Sequence, residues 1–267
     1  LITKAENVLG KTGIGYPTAT STVRTNLSTA LTNAKTSKTL ANYSALSSAY
    51  TAYLTTSEVQ MPEDGKAYTF TAEFTDGATY YMDYAEDGYK LQETKSGNNS
   101  DYPVTATLVC KKVGDKYTFV NNAGKYIVWK SSNSTDNNIA LNNNKGYVDA
   151  YGENVALTIE KATKTGGQIA NKETADFFGY VFIKGYRNTT KESDRNPYFI
   201  FTVDNGAYKY NAGSSPYYTG NHSSLIKIEE TTYPNTVTFN TVSDVEGVSN
   251  LATFSAPFAT VIPTGVK

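Results

Sequence analysis

The sequence predicts a mainly β protein: three four-strand repeats preceded by a small α-helical bundle. Three observations predict this. Apolar residues recur at spacings of three and four over residues 1–54. From MPEDGK (61–66) onward the pattern becomes alternation broken by turn residues. Four short segments then return three times in the same internal order.

The first helix is carried by Leu1, Ile2, Ala5, Val8 and Leu9, which share one face. Gly10, Gly13, Gly15 and Pro17 end it. A second helix starts near Ser21 with Val23, Leu27, Ala30, Leu31 and Ala34 as its apolar stripe. Thr39 caps a third, whose face is Leu40, Tyr43, Leu46, Tyr50, Tyr53 and Leu54. The many Ser and Thr residues are mediocre helix formers, so packing rather than propensity must hold these helices. Residues 1–58 are therefore expected to form an antiparallel helical bundle.

The repeats occupy 62–232. The first element reads AYTF (67–70), KYTF (116–119) and GYVF (179–182). The second, with aromatics at its first and fourth places, reads YMDY (81–84), YIVW (126–129) and YFIF (198–201). A Gly-led third follows as DGYKLQ (87–92), KGYVDA (145–150) and NGAYKY (205–210). The fourth, LVCKK (108–112), LTIEK (157–161) and IKIEE (226–230), alternates apolar residues and exits on charge. Cys110 falls on the inward alternation and is expected to behave as a small hydrophobe. The tail, 233–267, holds two further strand-like runs that either dock on the repeats or begin a following β-sandwich domain.

Three units of four strands resemble the β-trefoil, in which six strands close a short barrel and six form hairpins over it; a propeller typically needs four or more blades. The chain lacks the Gln-x-Trp repeat of ricin-type lectins, so sugar sites of that type are not expected. GIGYPT (13–18), AYTAYL (49–54), VQMPEDGKAYTF (59–70) and ATFSAPFATVIPTGVK (252–267) resemble an accessory module of large exported glycan-degrading proteins from gut commensal bacteria. That resemblance implies a non-catalytic partner domain with further domains in the same chain. It also implies an exported location: extracellular, periplasmic or cell surface. The chain begins on Leu1 and in helical patterning at once, so it reads as a piece of a larger protein whose signal segment lies elsewhere.

Composition removes several classes of function. Net charge is −1 and there is no basic stripe to neutralise phosphates, so no nucleic-acid partner is expected. No apolar run is long enough to span a bilayer, and mean hydropathy is −0.44. One cysteine excludes an internal disulfide and a cysteine-based zinc site. The only histidine, His222, sits in a turn-rich loop, and no GxSxG elbow accompanies it. Glu63-Asp64-Gly65 and Glu86-Asp87-Gly88 have the composition of hairpin turns rather than of a hydrolytic carboxylate pair. No DxDxDG, HExxH or phosphate-binding glycine loop appears. The expectation is no catalytic residue, no metal and no cofactor.

Binding remains. The composition favours it: 22 tyrosines stand against two methionines and one tryptophan, and Tyr joins a flat apolar ring to a polar tip. A sugar needs such a face for its C–H patches and Asn, Asp, Tyr or His for its hydroxyls. Three places offer both: Asp83 with Tyr84; Trp129 with the loop 131–138 and Tyr151; and the loop holding Tyr217, Tyr218, Asn221 and His222. Each has a structural alternative. Trp129 fills the slot held by Tyr84 and Phe201, where a recurring aromatic can simply be core. Asp83 can tie down its turn, while Tyr217 and Tyr218 break the repeat pattern in a loop. The expected function is carbohydrate binding, with glycans as the partner and no membrane insertion. The alternative is a structural spacer or protein-interaction domain without sugar binding.

Overall fold

The computed structural model describes residues 1–56, 58–86, 88–94, 102–128, 146–148, 155–164, 169, 177–185, 198–204, 207–213 and 215–231. Trp129, Tyr151 and the tail 233–267 lie outside the described residues.

Three helices come first: α1 (Ile2–Leu9), α2 (Ser21–Thr36) and α3 (Leu40–Leu54). Thr20 and Thr39 cap the last two, their hydroxyls accepting from the backbone N–H groups of Val23 and Asn42 at 3.4 and 3.2 Å. The faces read from spacing meet in one cluster of Ala5, Val8, Leu27, Leu31, Leu46 and Tyr53 with their neighbours. Two expected members do not join it: Leu40 is 82% exposed and Tyr43 54%. They stand in the first turn of α3, at a corner closed by the Asn42 amide donating to the carbonyls of Asn33 and Ser37. Burial along α3 begins only at Leu46.

The strands follow as β1 (Ala67–Glu73), β2 (Thr79–Ala85), β3 (Gly88–Glu93), β4 (Leu108–Val113), β5 (Lys116–Asn121), β6 (Tyr126–Ile127), β7 (Tyr147–Val148), β8 (Thr158–Lys161), β9 (Val181–Lys184), β10 (Tyr198–Asp204), β11 (Ala207–Gly213), β12 (His222–Ser223) and β13 (Ile226–Glu230). The described residues of the repeat segments singled out in the sequence fall on or beside these strands. Their pairing is antiparallel throughout and closes a ring. β1 pairs with β4, β4 with β5, β8 with β9, β9 with β13, and β13 with β1. The remaining join is between β5 and the residue leading into β8, where Tyr117 and Leu157 exchange both backbone hydrogen bonds, at 2.9 and 2.7 Å. The hairpins β2–β3, β6–β7 and β10–β11 lie in sequence between the ring strands β1 and β4, β5 and β8, and β9 and β13. Glu63-Asp64-Gly65 is a turn as expected, but it leads into β1 rather than closing a hairpin: Gly65 has φ +78°, and the Asp64 carboxylate accepts from Lys112 N–H at 2.7 Å.

Inside the ring, alternate residues build one apolar core. Tyr68, Phe70, Leu108, Cys110, Phe119, Leu157, Ile159, Ile226 and Ile228 belong to it, and the hairpins add Met82, Leu91, Ile127 and Phe199. Phe70 and Phe119 meet edge to face, with centroids 4.7 Å apart.

The third copy departs from the register read in the sequence. Tyr68 and Phe70 face the core, as do Tyr117 and Phe119, but in GYVFIK it is Val181 and Ile183 that do so. Tyr180 and Phe182 turn outward into a separate cluster with Ala162, Ile169, Phe177 and Leu225. A one-residue slip exchanges the faces of a strand, and both faces are apolar here, so aromatic spacing does not specify register. The pairs Ile226–Val181 and Ile159–Ile183 set it instead. Outward placement also lets the Tyr180 hydroxyl donate to the Glu73 carboxylate, a partner a phenol in the central core would lack.

Helices and barrel exchange side chains. Ile14, from the linker after α1, enters the barrel core. Phe178, from the turn before β9, enters the helical cluster and packs edge-on against Tyr53 at 6.3 Å. Between them Gly15 and Gly179 approach so closely that Gly179 N–H donates to the Gly15 carbonyl at 3.1 Å.

Burial holds many phenols protonated. It raises the hydroxyl pKa values of Tyr89, Tyr102 and Tyr180 well above the ordinary 10, and pushes the Cys110 thiol from 9.0 to about 12. A folded-state pKa raised in this way contributes stability that is fully present below the unfolded pKa and is lost as pH rises beyond it. Stability is therefore expected to fall above about pH 9 to 10, where the unfolded chain releases protons that the native state retains. Phenolate absorbance from the buried Tyr89, Tyr102 and Tyr180 should appear in one cooperative step together with loss of circular dichroism. A smooth titration near pH 10 with unchanged dichroism would contradict this.

Candidate functional site

The loop 215–224 connects the third hairpin to the last barrel strand, and its geometry follows from one threonine. Thr219 Oγ accepts from the backbone N–H groups of Asn221 and His222 at 3.4 and 3.0 Å and donates to Asn221 Oδ1 at 3.0 Å. Thr219 N–H in turn donates to the His222 carbonyl at 2.8 Å. The loop base is fixed by Tyr217 and Ser224, whose backbone and hydroxyl groups bond at 2.8 and 3.1 Å. Val203 N–H donates to the Asn221 carbonyl at 2.9 Å, tying the tip to β10. The loop is thus held in one shape by its own polar groups.

That shape separates the two tyrosines. Tyr218 turns toward the barrel, where its hydroxyl lies 3.5 Å from both the Glu73 carboxylate and the Phe74 carbonyl, and its ring packs on the outer cluster. Tyr217 turns the other way and lies beside the His222 imidazole, with centroids 5.7 Å apart and planes tilted by 41°. His222 Nδ1 donates to Asn221 Oδ1 at 2.8 Å. In the neutral ring this leaves Nε2 as an acceptor. Asn221 is exposed, while Tyr217 and His222 are half-buried. Among the described residues nothing pairs with the Tyr217 hydroxyl, the Asn221 NH₂ or His222 Nε2. An aromatic face with a donor pair, an acceptor and a phenol around it can hold vicinal hydroxyls. Across the strand pair His222 faces Thr202, whose buried hydroxyl also lacks a partner among the described residues.

Asp83 and Tyr84 are placed differently. Both are half-buried on β2. The Tyr84 ring is 5.5 Å from the rings of Tyr89 and Tyr147, edge to face with each, and it packs on the central core. Tyr89 accepts from the buried Asn121 amide at 3.0 Å, and Tyr147 donates to the Glu86 carbonyl at 3.0 Å. Tyr84 is thus one edge of a three-tyrosine cluster. Asp83 Oδ1 is shielded from solvent without a hydrogen-bond partner among the described residues. Among the described residues no hydrogen bond or ring contact joins Asp83 or Tyr84 to the loop residues, and Trp129 and Tyr151 lie outside the described residues.

Sequence reading missed Thr219 as the organiser of the loop and Glu73 as the anchor of Tyr218. Thr219 carried a usable signal, a hydroxyl two and three residues before Asn221 and His222. Glu73 carried none, being 145 residues from its partner.

No family model and no curated protein sequence matches the chain. Among solved structures the chain is similar to a Polyporus squamosus lectin, determined bound to the human-type influenza-binding epitope Neu5Aca2-6Galb1-4GlcNAc. The identity is 14% over 64% of this chain and 50% of that one, with a TM-score of 0.35. The chain thus spans half the length of that lectin, a likeness too slight to carry function across.

Proposed function

We propose that this chain is a β-trefoil module that binds carbohydrate without catalysis, as an accessory to an exported bacterial glycan-processing or surface protein. On this reading residues 1–58 form a helical part, 62–232 the trefoil, and 233–267 a strand-bearing tail. The closed ring of strands with one hairpin per repeat supports the trefoil assignment. The observation that carries the function is the 217–222 loop, where an aromatic ring and three polar tips without partners among the described residues are held by Thr219 and Ser224. Preorganised groups lose little freedom on binding, which suits recognition of a weakly held sugar. A module of this kind would hold a neighbouring domain near glycan by raising local concentration.

A glycan array on the 267-residue chain tests the reading. Tyr217→Ala should weaken binding at least about tenfold, roughly 1.4 kcal/mol, with folding unchanged. Trp129→Ala would report on the second repeat. Full binding by Tyr217→Ala would overturn the assignment of this loop, and silence across plant and host glycans would overturn the function. The second reading, a protein-interaction domain, is favoured by exposed Leu40 and Tyr43 at the helical corner.

A further inference from the structure

A cleft of about 370 Å³ lies between the linker after α1 and the outer face of β13. Its volume is at the small end of the range for small-molecule sites, about 300 to 1,000 Å³. Thr12, Tyr16, Gln60, Lys227, Glu229 and Glu230 supply its polar lining. Four stretches far apart in sequence build it: the linker 12–16, Gln60, Gly179 and 227–230. Gln60 is pinned opposite Tyr16 by reciprocal backbone bonds: Gly15 N–H to the Gln60 carbonyl at 2.9 Å, and Gln60 N–H to the Tyr16 carbonyl at 2.8 Å.

The charges in the cleft are not equally satisfied. Glu230 faces Lys66, whose ammonium is 3.4 Å away. Lys227 is drawn to Glu73 at 3.8 Å and lies over the Tyr180 ring at 5.1 Å from its centroid. Among the described residues Glu229 has no cation: its one partner there is the neutral Tyr102 hydroxyl, donating to Oε2 at 2.9 Å. The Glu229 charge is felt by both neighbouring phenols. Burial first, and Glu229 second, raises the pKa values of Tyr16 and Tyr102 above the ordinary 10. The Tyr16 hydroxyl, the Gln60 amide and the Thr12 hydroxyl have no side-chain partners among the described residues.

We infer that this cleft is a second ligand site, separate from the 217–222 loop, and that it takes a ring-sized polyhydroxylated molecule bearing an ammonium group, the chemistry of an amino sugar. The ammonium pairs with Glu229 beside the Tyr16 ring, a charge-assisted hydrogen bond reinforced by the π face. Tyr16, Gln60 and Thr12 take the hydroxyls.

The test uses the whole chain, labelled with ¹⁵N, titrated with D-glucosamine, D-glucose and ethanolamine. Glucosamine should shift the backbone amides of Gly13, Gln60 and Glu229. Glucose, which lacks the ammonium, and ethanolamine, which lacks the ring, should each bind at least about tenfold more weakly; that ratio corresponds to roughly 1.4 kcal/mol. Glu229→Gln should abolish the preference for glucosamine over glucose, and high salt should weaken glucosamine selectively. Equal affinity for glucosamine and glucose would overturn the role of the charge, and equal affinity for ethanolamine that of the ring. Shifts confined to 217–222, or no shifts at all, would overturn the site. Should Glu229→Gln not fold, the amide map and the ligand ratios decide alone.

Discussion

Gly15→Ala is expected to cost about 4 kcal/mol of stability. Gly15 has φ +79°, a conformation that costs a side chain about 1 to 3 kcal/mol. A Cβ there would also meet backbone, 2.8 Å from the Tyr180 nitrogen and 2.9 Å from the Gly179 carbonyl carbon. Backbone cannot rotate away as a side-chain tip can, so the linker and the turn before β9 must separate. That separation withdraws Ile14 from the barrel core and Phe178 from the helical cluster together. Gly65→Ala is the control. Its φ is +78°, but nothing lies within 4 Å of the new methyl, so only the conformational cost of about 1 kcal/mol is expected. Urea unfolding of the two variants measures the difference. Equal midpoints would show that the close approach contributes nothing.

Phe119→Ala should cost a similar amount, about 3 to 5 kcal/mol, for a different reason. Phe119 is fully buried in the ring and packs edge to face with both Phe70 and Tyr68. Its removal loses the transfer free energy of the ring and leaves a cavity that closed strands cannot readily collapse around. Tyr43→Ala, at 54% exposure on α3, is expected to change stability by no more than about 0.5 kcal/mol. Denaturant midpoints at constant slope report both. A cost under about 1 kcal/mol for Phe119→Ala would mean that the ring relaxes to fill the void.

Much of this fold was legible because its signals are local. Thr20 and Thr39 act within three residues of themselves, and LTIEK and IKIEE alternate between buried and more exposed positions, whereas LVCKK buries Leu108, Val109 and Cys110 in succession before its lysines. Register in the third repeat was not legible. Tyr180, Val181, Phe182 and Ile183 are all buried, so no polar face marks which pair points inward. The 215–224 loop was visible as a run of aromatic and amide residues. The divergence of Tyr217 from Tyr218 was not, because it depends on Glu73 waiting at the end of β1. The cleft was hidden for the same reason: Tyr16 and Glu229 meet only once the barrel is closed.

The pairing of β1 with β13 has a consequence for synthesis. On the ribosome, β1 emerges early and finds β4 within a few tens of residues, but its other edge stays open until Ile226 to Glu230 have been made. An apolar strand with an unpaired edge is the form most prone to pairing with a neighbouring nascent chain. Assembly of the barrel is therefore a late event, dominated by a single long-range closure and correspondingly slow. Chains stalled before residue 226 should be recovered as protease-sensitive and chaperone-bound, and those released beyond Glu230 as resistant.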